Sequence, residues 1–199
     1  MTTPVNIDLV LASSSRYRRE LLARVIPRFR TCAPAIKETP RPGETAMVLA
    51  ERLAFEKALA VARQCSGALV IGSDQVAECE GSVLGKPGGR AQALAQLASC
   101  SGRVVTFRTA VCVVDARSGR LENHSAMDVT RAAFRTLQAD EITRYVEREP
   151  AFDCAAGFRV EGLGITLFER IESGDPTALV GLPLIALCRL LRAADYPLP

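Results

Sequence analysis

IDLVLASSSRYRRELLARV, residues 7–25, is the stretch from which the architecture can be read. Ile7 to Ala12 is an apolar run broken only by Asp8 and reads as a short buried strand, while Arg18 to Val25 carries helical periodicity. Ser13-Ser14-Ser15, with Arg16, Arg18 and Arg19, therefore sits at a strand-to-helix junction. Free helix amides, hydroxyls and guanidinium forks at such a junction suit a chain of phosphates. The same residues also fit a plain serine N-cap followed by a solvated arginine face.

Working outward, Phe29 to Ala33 reads as a second strand, leading into a loop punctuated by Glu38, Pro40 and Pro42. An Ala-rich helix from about Thr45 to Arg63 precedes the buried strand Ala68 to Ile71, which we expect to end at Gly72-Ser73-Asp74. A turn at Glu80-Gly81, a loop at Gly85-Lys86-Pro87 and a helix from Ala91 to Ala98 follow. Val104 to Val114 alternates apolar with polar, and Arg117-Ser118-Gly119 offers a turn into a returning strand near Met127 to Phe134. Helices over Ala139 to Arg148 and Leu184 to Ala193 flank a Gly-broken segment, Gly157 to Phe168. Early alternation of strands with helices and later hairpins predict an α/β fold, a mixed β-sheet with helices on both faces. At 199 residues we expect one domain, residues 1–199.

Composition narrows the function classes. Hydrophobic residues make up 48% and charged residues 24%, which favours a packed globule over disorder. A net charge of +3, aromatic content of 5% and no Trp argue against a stable nucleic-acid partner. The apolar stretch near the N-terminus follows the acidic Asp8 and is too short for a signal or membrane segment, so we expect a cytoplasmic protein with no membrane partner. Seven cysteines form no CxxC pair and are expected to be buried, reduced thiols. The single histidine, His124, reads as a surface residue, which removes Ser-His-Asp, Cys-His and HExxH chemistry.

The chemistry must then come from carboxylates, lysines, arginines and a metal. Asp74 follows four apolar strand residues and Gly-Ser, so its carboxylate is expected at the end of a buried strand, where open α/β sheets put their ligands. There it could hold a metal or take a proton from water, or simply close an Asx turn. Lys57 lies one helical turn from both Leu53 and Val61 and interrupts an apolar face; aimed inward it requires an anion, otherwise it snorkels along the helix. Gly81 to Pro87, GSVLGKP, is one residue short of a P-loop and has Pro87 where that motif needs a hydroxyl. Lys86 can nevertheless reach a phosphate from its turn.

Taken in order, ASSSRYRRELL, the ETP of Glu38 to Pro40, the EKA of Glu56 to Ala58, IGSDQV, LGKP and AAGFRVEGLGITLFERIESGD from Ala155 resemble the Maf family of nucleoside triphosphate pyrophosphatases. The likeness runs from about Leu9 to Leu191. GSDQ, the GITLFERI stretch and the DPTALVGLPLIALC ending, Asp175 to Cys188, are most similar to the branch acting on 7-methyl-GTP. Arg16 and Tyr17 depart from that branch, which usually shows Pro and often Trp there. The resemblance implies an elongated fold of two lobes around a cleft, a divalent metal cofactor (Mg²⁺, Mn²⁺ or Co²⁺), and Asp74 as proton acceptor. It also implies that Tyr17, Gln75 and Glu161 set base specificity, and it suggests a homodimer. N7-methylation makes guanine cationic; an aromatic face such as Tyr17 attracts a flat cation, and Glu161 can accept from guanine N1 and N2.

The expected mechanism has Ser13, Ser15, Arg18, Lys57 and Lys86 holding the triphosphate of a small nucleotide substrate, with Glu38 and Asp74 binding the metal. Alternatives are a pyrophosphatase preferring dTTP, UTP or modified pyrimidine nucleotides, and a non-catalytic nucleotide-binding division regulator.

Overall fold

The computed structural model describes residues 7–199, so residues 1–6 of the leader reading lie outside the described part. Among the described residues seven strands form one mixed sheet: β1 (Asp8–Leu11), β2 (Arg30–Thr31), β3 (Ala68–Cys79), β4 (Ser82–Leu84), β5 (Val104–Asp115), β6 (Glu122–Phe134) and β7 (Phe168–Glu172). Their order is β2-β1-β3-β5-β6-β7, with β4 paired to the far end of β3. β1 runs parallel to β2 and β3, and the other pairings are antiparallel. The helices are α1 (Arg16–Ala23), α2 (Ala46–Ala62), α3 (Arg90–Cys100), α4 (Ala139–Arg148) and α5 (Leu184–Ala193).

Strand length makes the molecule elongated. β3, β5 and β6 have 12, 12 and 13 residues, or roughly 40 Å each at about 3.3 Å per residue. Three helical layers divide this long sheet. α2 covers one face of its first half, packing Leu49, Leu53, Ala54, Ala58 and Val61 on Val10, Val70 and Cys112. α1 and α5 cover the opposite face, with Leu21, Leu22, Leu187 and Leu191 against Leu9, Leu69 and Val113. α3, α4 and the 155–168 segment wrap the second half around Phe107, Phe134 and Phe158. Helices thus lie on both faces, and the two halves form the two expected lobes.

Local chemistry explains the boundaries. Thr45 caps α2, its hydroxyl accepting from Val48 N, and Gln138 with Glu141 closes a capping box on α4. α1 starts at Arg16 and not at Arg18, because the Ser15 hydroxyl accepts from Arg18 N and makes Ser15 the N-cap.

Other expectations are corrected as well. The strand from Ala68 does not end at Gly72-Ser73-Asp74 but continues to Cys79, since β5 pairs with it along the whole length from Leu69 to Cys79. The Phe29 to Ala33 strand shrinks to Arg30–Thr31, and β7, which was not expected, pairs with β6 at the sheet edge. Cys79, Cys100 and Cys112 are buried, whereas Cys32, Cys65, Cys154 and Cys188 are half-buried; all seven are free thiols. His124 is exposed on β6, as expected.

Candidate active site

β3 builds the site through its two-residue period. Val70, Gly72, Asp74 and Val76 face α2, while Ser73 and Gln75 face the other way. β1 stops at Leu11, opposite Ile71. Asp74 therefore lies in mid-strand but just past the end of its parallel neighbour, which is why a ligand cleft opens there although the strand itself does not end.

Lys57 sits on the buried stripe of α2 and is 4% exposed, so the inward aim is the one realised. Its Nζ lies 2.6 Å from Asp74 Oδ1 and 2.9 Å from Glu38 Oε2. Asp74 is buried, Glu38 is exposed, and the lysine gathers both carboxylates at one point. Burial pushes the Asp74 carboxyl above the ordinary aspartate range, opposed by the positive charges of Lys57 and Arg18. Burial in turn pushes the Arg18 guanidinium down, and the charges of Asp74 and Glu38 hold it up.

On the opposite side, Arg18 Nε donates to Gly181 O at 2.8 Å, and the single Ser73 hydroxyl proton is shared between Ala110 O at 2.7 Å and that same Gly181 carbonyl at 3.0 Å. The turn carrying Gly181 is held by buried Asp175, whose carboxylate accepts from Thr177 N, Thr177 Oγ1 and Ile185 N. The two protons of Gln75 Nε2 are shared among Thr109 Oγ1, Ala178 O and Leu179 O, at 2.9–3.1 Å. Its amino group is thereby committed to the scaffold, and only its carbonyl oxygen is left for a ligand. Sequence reasoning missed Ser73, Asp175 and Thr177; a buried hydroxyl on a strand and an Asp-Pro-Thr turn look alike whether or not they brace a site.

Ser13, Ser15, Tyr17, Arg18, Glu38, Lys57, Asp74, Gln75 and Lys86 line one cleft of about 610 Å³. A smaller annex of about 120 Å³ opens from it, sharing Ser15, Tyr17, Arg18, Gln75 and Lys86 and adding Phe158, Arg159 and Glu161. Ser13, Ser15, Tyr17, Arg18, Glu38, Lys57, Asp74, Gln75, Lys86 and Glu161 thus border this connected space, whereas Arg19 and His124 do not line it. Ser13 is buried and its Oγ accepts from Ser15 N at 3.1 Å, whereas Lys86 is exposed on a loop tied to the second lobe by Gln96 Nε2 to Gly85 O and Gly88 N to Phe152 O. Tyr17 is half-buried, and its hydroxyl accepts from Arg16 Nη2 at 2.7 Å. Arg16 and Arg159 place their guanidinium carbons 4.7 and 5.6 Å from its ring centroid.

Among the described residues no three His, Cys, Asp or Glu side chains converge as a metal cage. Glu38 and Asp74 nevertheless meet at one point, and two carboxylates are what a magnesium-like ion takes from a protein when phosphate oxygens and water complete its octahedron. The donor set fits such a substrate-shared ion and does not fit a zinc cage.

A mixed sheet with a basic cleft on one side, an inward lysine and two carboxylates defines an α/β protein suited to a small polyphosphate ligand. Residues 8–194 match the Maf family, described as Maf-like protein, and the chain belongs to that family. It is similar to the 7-methyl-GTP pyrophosphatase of Xanthomonas oryzae pv. oryzae, at 56% identity over 191 residues that cover 96% of this chain and 98% of the relative. A relative of the same description from Ralstonia nicotianae is 54% identical, covering 96% and 97%. In fold the chain is similar to the Ham1 protein of Staphylococcus aureus, with a TM-score of 0.50 and 15% identity over 94% of this chain and 97% of that one.

Proposed function

We propose that this chain is a hydrolase that cleaves 7-methyl-GTP to the monophosphate and pyrophosphate. Supporting it are family membership and relatives of that name at 54–56% identity over almost the whole chain. The observation that carries the mechanism is the Lys57 contact with both Asp74 and Glu38, beside Arg18, on the wall of one cleft.

In this reading Ser13, Ser15, Arg18, Lys57 and Lys86 bind the triphosphate, their cations spread along the cleft to meet its charge. A divalent ion bound by Glu38 and Asp74 would supply charge neutralisation at the phosphate oxygens. Asp74 orients the attacking water and accepts its proton as the water attacks the α-phosphorus, and pyrophosphate leaves. The place of Asp74 just past the end of β1, on the wall of the cleft and against Lys57, puts the carboxylate where a water at the phosphate chain can reach it. Tyr17 and Glu161, at the annex, receive the base; the tyrosine offers a π-face to the cationic ring and the acid accepts from N1 and N2. Gln75 contributes as a carbonyl acceptor and as the brace of the 178–179 turn.

No helix among the described residues is long and apolar enough to cross a membrane; a cytoplasmic placement is part of the proposal. The one-domain organisation and a homodimeric assembly belong to the same proposal. The test is a panel of 7-methyl-GTP, GTP, dTTP and UTP with Mg²⁺, Mn²⁺ or Co²⁺, scored for pyrophosphate with and without chelator. Asp74→Asn is expected to lower turnover about 10²–10⁴-fold, the usual span for a general base. Wild-type turnover in that variant rejects Asp74 as the base; faster dTTP or UTP hydrolysis rejects the substrate.

A further inference from the structure

Arg159 has no part in the mechanism above, yet it lines the annex beside Tyr17 and Glu161. Its Nε is a buried side-chain nitrogen with no hydrogen-bond partner among the described residues, and the only one of that kind there. A buried donor left unpaired is a standing cost, and proteins retain one mainly where something else completes it. The guanidinium rests against the Tyr17 ring, 5.6 Å from its centroid.

The backbone that carries this side chain is held on both sides. Arg159 N donates to Tyr145 Oη at 3.1 Å, and Tyr145 Oη in turn donates to Glu149 Oε2. Gly164 crosses so close that a Cβ there would lie 2.3 Å from Arg159 O. The main chain at 159 is therefore fixed while the guanidinium keeps an unmet donor. A fixed main chain thus presents to the annex a guanidinium whose unmet donor a ligand can complete.

Guanine's Watson–Crick edge presents two donors, N1–H and N2–H, next to one acceptor, O6. A carboxylate such as Glu161 satisfies the donors and leaves O6 needing a donor from nearby. N7-methylation removes the neighbouring N7 acceptor, so O6 is then the sole acceptor on that flank. Resting on the base-site reading of the previous section, we propose that Arg159 reads guanine O6, its guanidinium moving from the Tyr17 face to the base as the base takes that face.

In this exchange one cation on the Tyr17 ring is replaced by another, and Nε gains the partner it lacks. Asp153 and Glu161, both lining the annex, place two carboxylates against the two positive charges of Arg159 and the methylated base.

The test compares Arg159→Met and Arg159→Lys with wild type in kcat and KM for 7-methyl-GTP, and in the inhibition constant for pyrophosphate, which occupies only the phosphate half of the cleft. Loss of one charge-assisted hydrogen bond is expected to raise KM about 10- to 100-fold in Arg159→Met. The loss should fall on KM more than on kcat, leave pyrophosphate inhibition unchanged and be partly restored in Arg159→Lys. Thermal melts confirm that the variants are folded. An unchanged or lowered KM overturns the proposal, and a parallel weakening of pyrophosphate assigns the arginine to phosphate instead. Glu161→Gln separates the two levels. If it raises KM while Arg159→Met does not, only the O6 contact fails; if neither raises KM, the base-site reading itself fails.

Discussion

Gly72→Ala tests whether the approach of α2 to β3 sets the Lys57–Asp74 geometry. A Cβ at position 72 would stand 2.2 Å from Ala54 O, 2.7 Å from Ala58 N and 2.9 Å from Ala58 Cβ. Two of these are backbone atoms of α2 and cannot rotate away, so the helix must back off by roughly an ångström to reach ordinary contact distances. Overpacking a core costs about 1–3 kcal/mol, and the rigid targets put this case near the top of that span; the entropy gained on replacing Gly offsets about 0.4–1 kcal/mol. A net loss of about 2–3 kcal/mol in a chain of this length lowers Tm by roughly 4–12 °C. Lys57 is the residue before Ala58, so the 2.6 Å contact with Asp74 is displaced with the helix. Misplacing a reacting group by about 1 Å can cost 10²-fold in rate. The assay is a thermal melt together with pyrophosphate release from 7-methyl-GTP well below the melt. A Gly72→Ala protein with unchanged Tm and turnover within about twofold of wild type refutes the reasoning.

Lys57→Met removes the cation between two carboxylates and leaves buried Asp74 without its nearest counter-charge. Breaking such a pair costs about 3–5 kcal/mol, or roughly 6–20 °C in Tm, and a melt within about 2 °C of wild type shows that the pair does not stabilise the fold. Hydrogen bonds from Arg52, and from Arg41 N, hold the Glu44 carboxyl down at about 2 against an ordinary 4.5. A depressed carboxyl stabilises the folded state above its unfolded value, and that contribution fades as pH falls from about 4.5 toward 2. Tm measured against pH should therefore drop less steeply over that window in Glu44→Gln than in wild type; parallel curves count against the Glu44 contribution.

What could be read from the sequence followed from whether the decisive interactions were local. α2, α4 and α5 matched their expected spans because caps and periodicity lie within each segment: Thr45, the Gln138–Glu141 box, and leucines at helical spacing over 184–191. Lys57 was legible for the same reason, as a charge on an apolar stripe. The length of β3 was not. Gly72-Ser73-Asp74 has the composition of a strand end, and it remains strand because its polar groups find partners far away, Ser73 at Gly181 and Asp74 at Lys57. β7 is a mostly exposed edge strand whose pairing with β6 decides it, and that pairing leaves no mark on FERIE. Arg159 lies in a segment of 3₁₀ turns without periodicity, so its approach to Tyr17 became visible only in three dimensions.

The odd–even alternation of β3 links the two sides of the site more tightly than their separation in sequence suggests. Asp74 meets Lys57 on the α2 side, while its neighbours Ser73 and Gln75 grip the turn at 178–181 on the other. That turn supplies the carbonyl that orients Arg18. The acid proposed as base and an arginine proposed to hold phosphate are therefore set by three consecutive residues of one strand, each locked by β5 along its length. A shift of one residue in the β3–β5 register would turn Asp74 toward the 178–181 turn and Ser73 toward Lys57, dismantling both halves together. Long, continuous pairing is thus a condition for the chemistry, which explains why the strand runs through the polar residues that looked like its end.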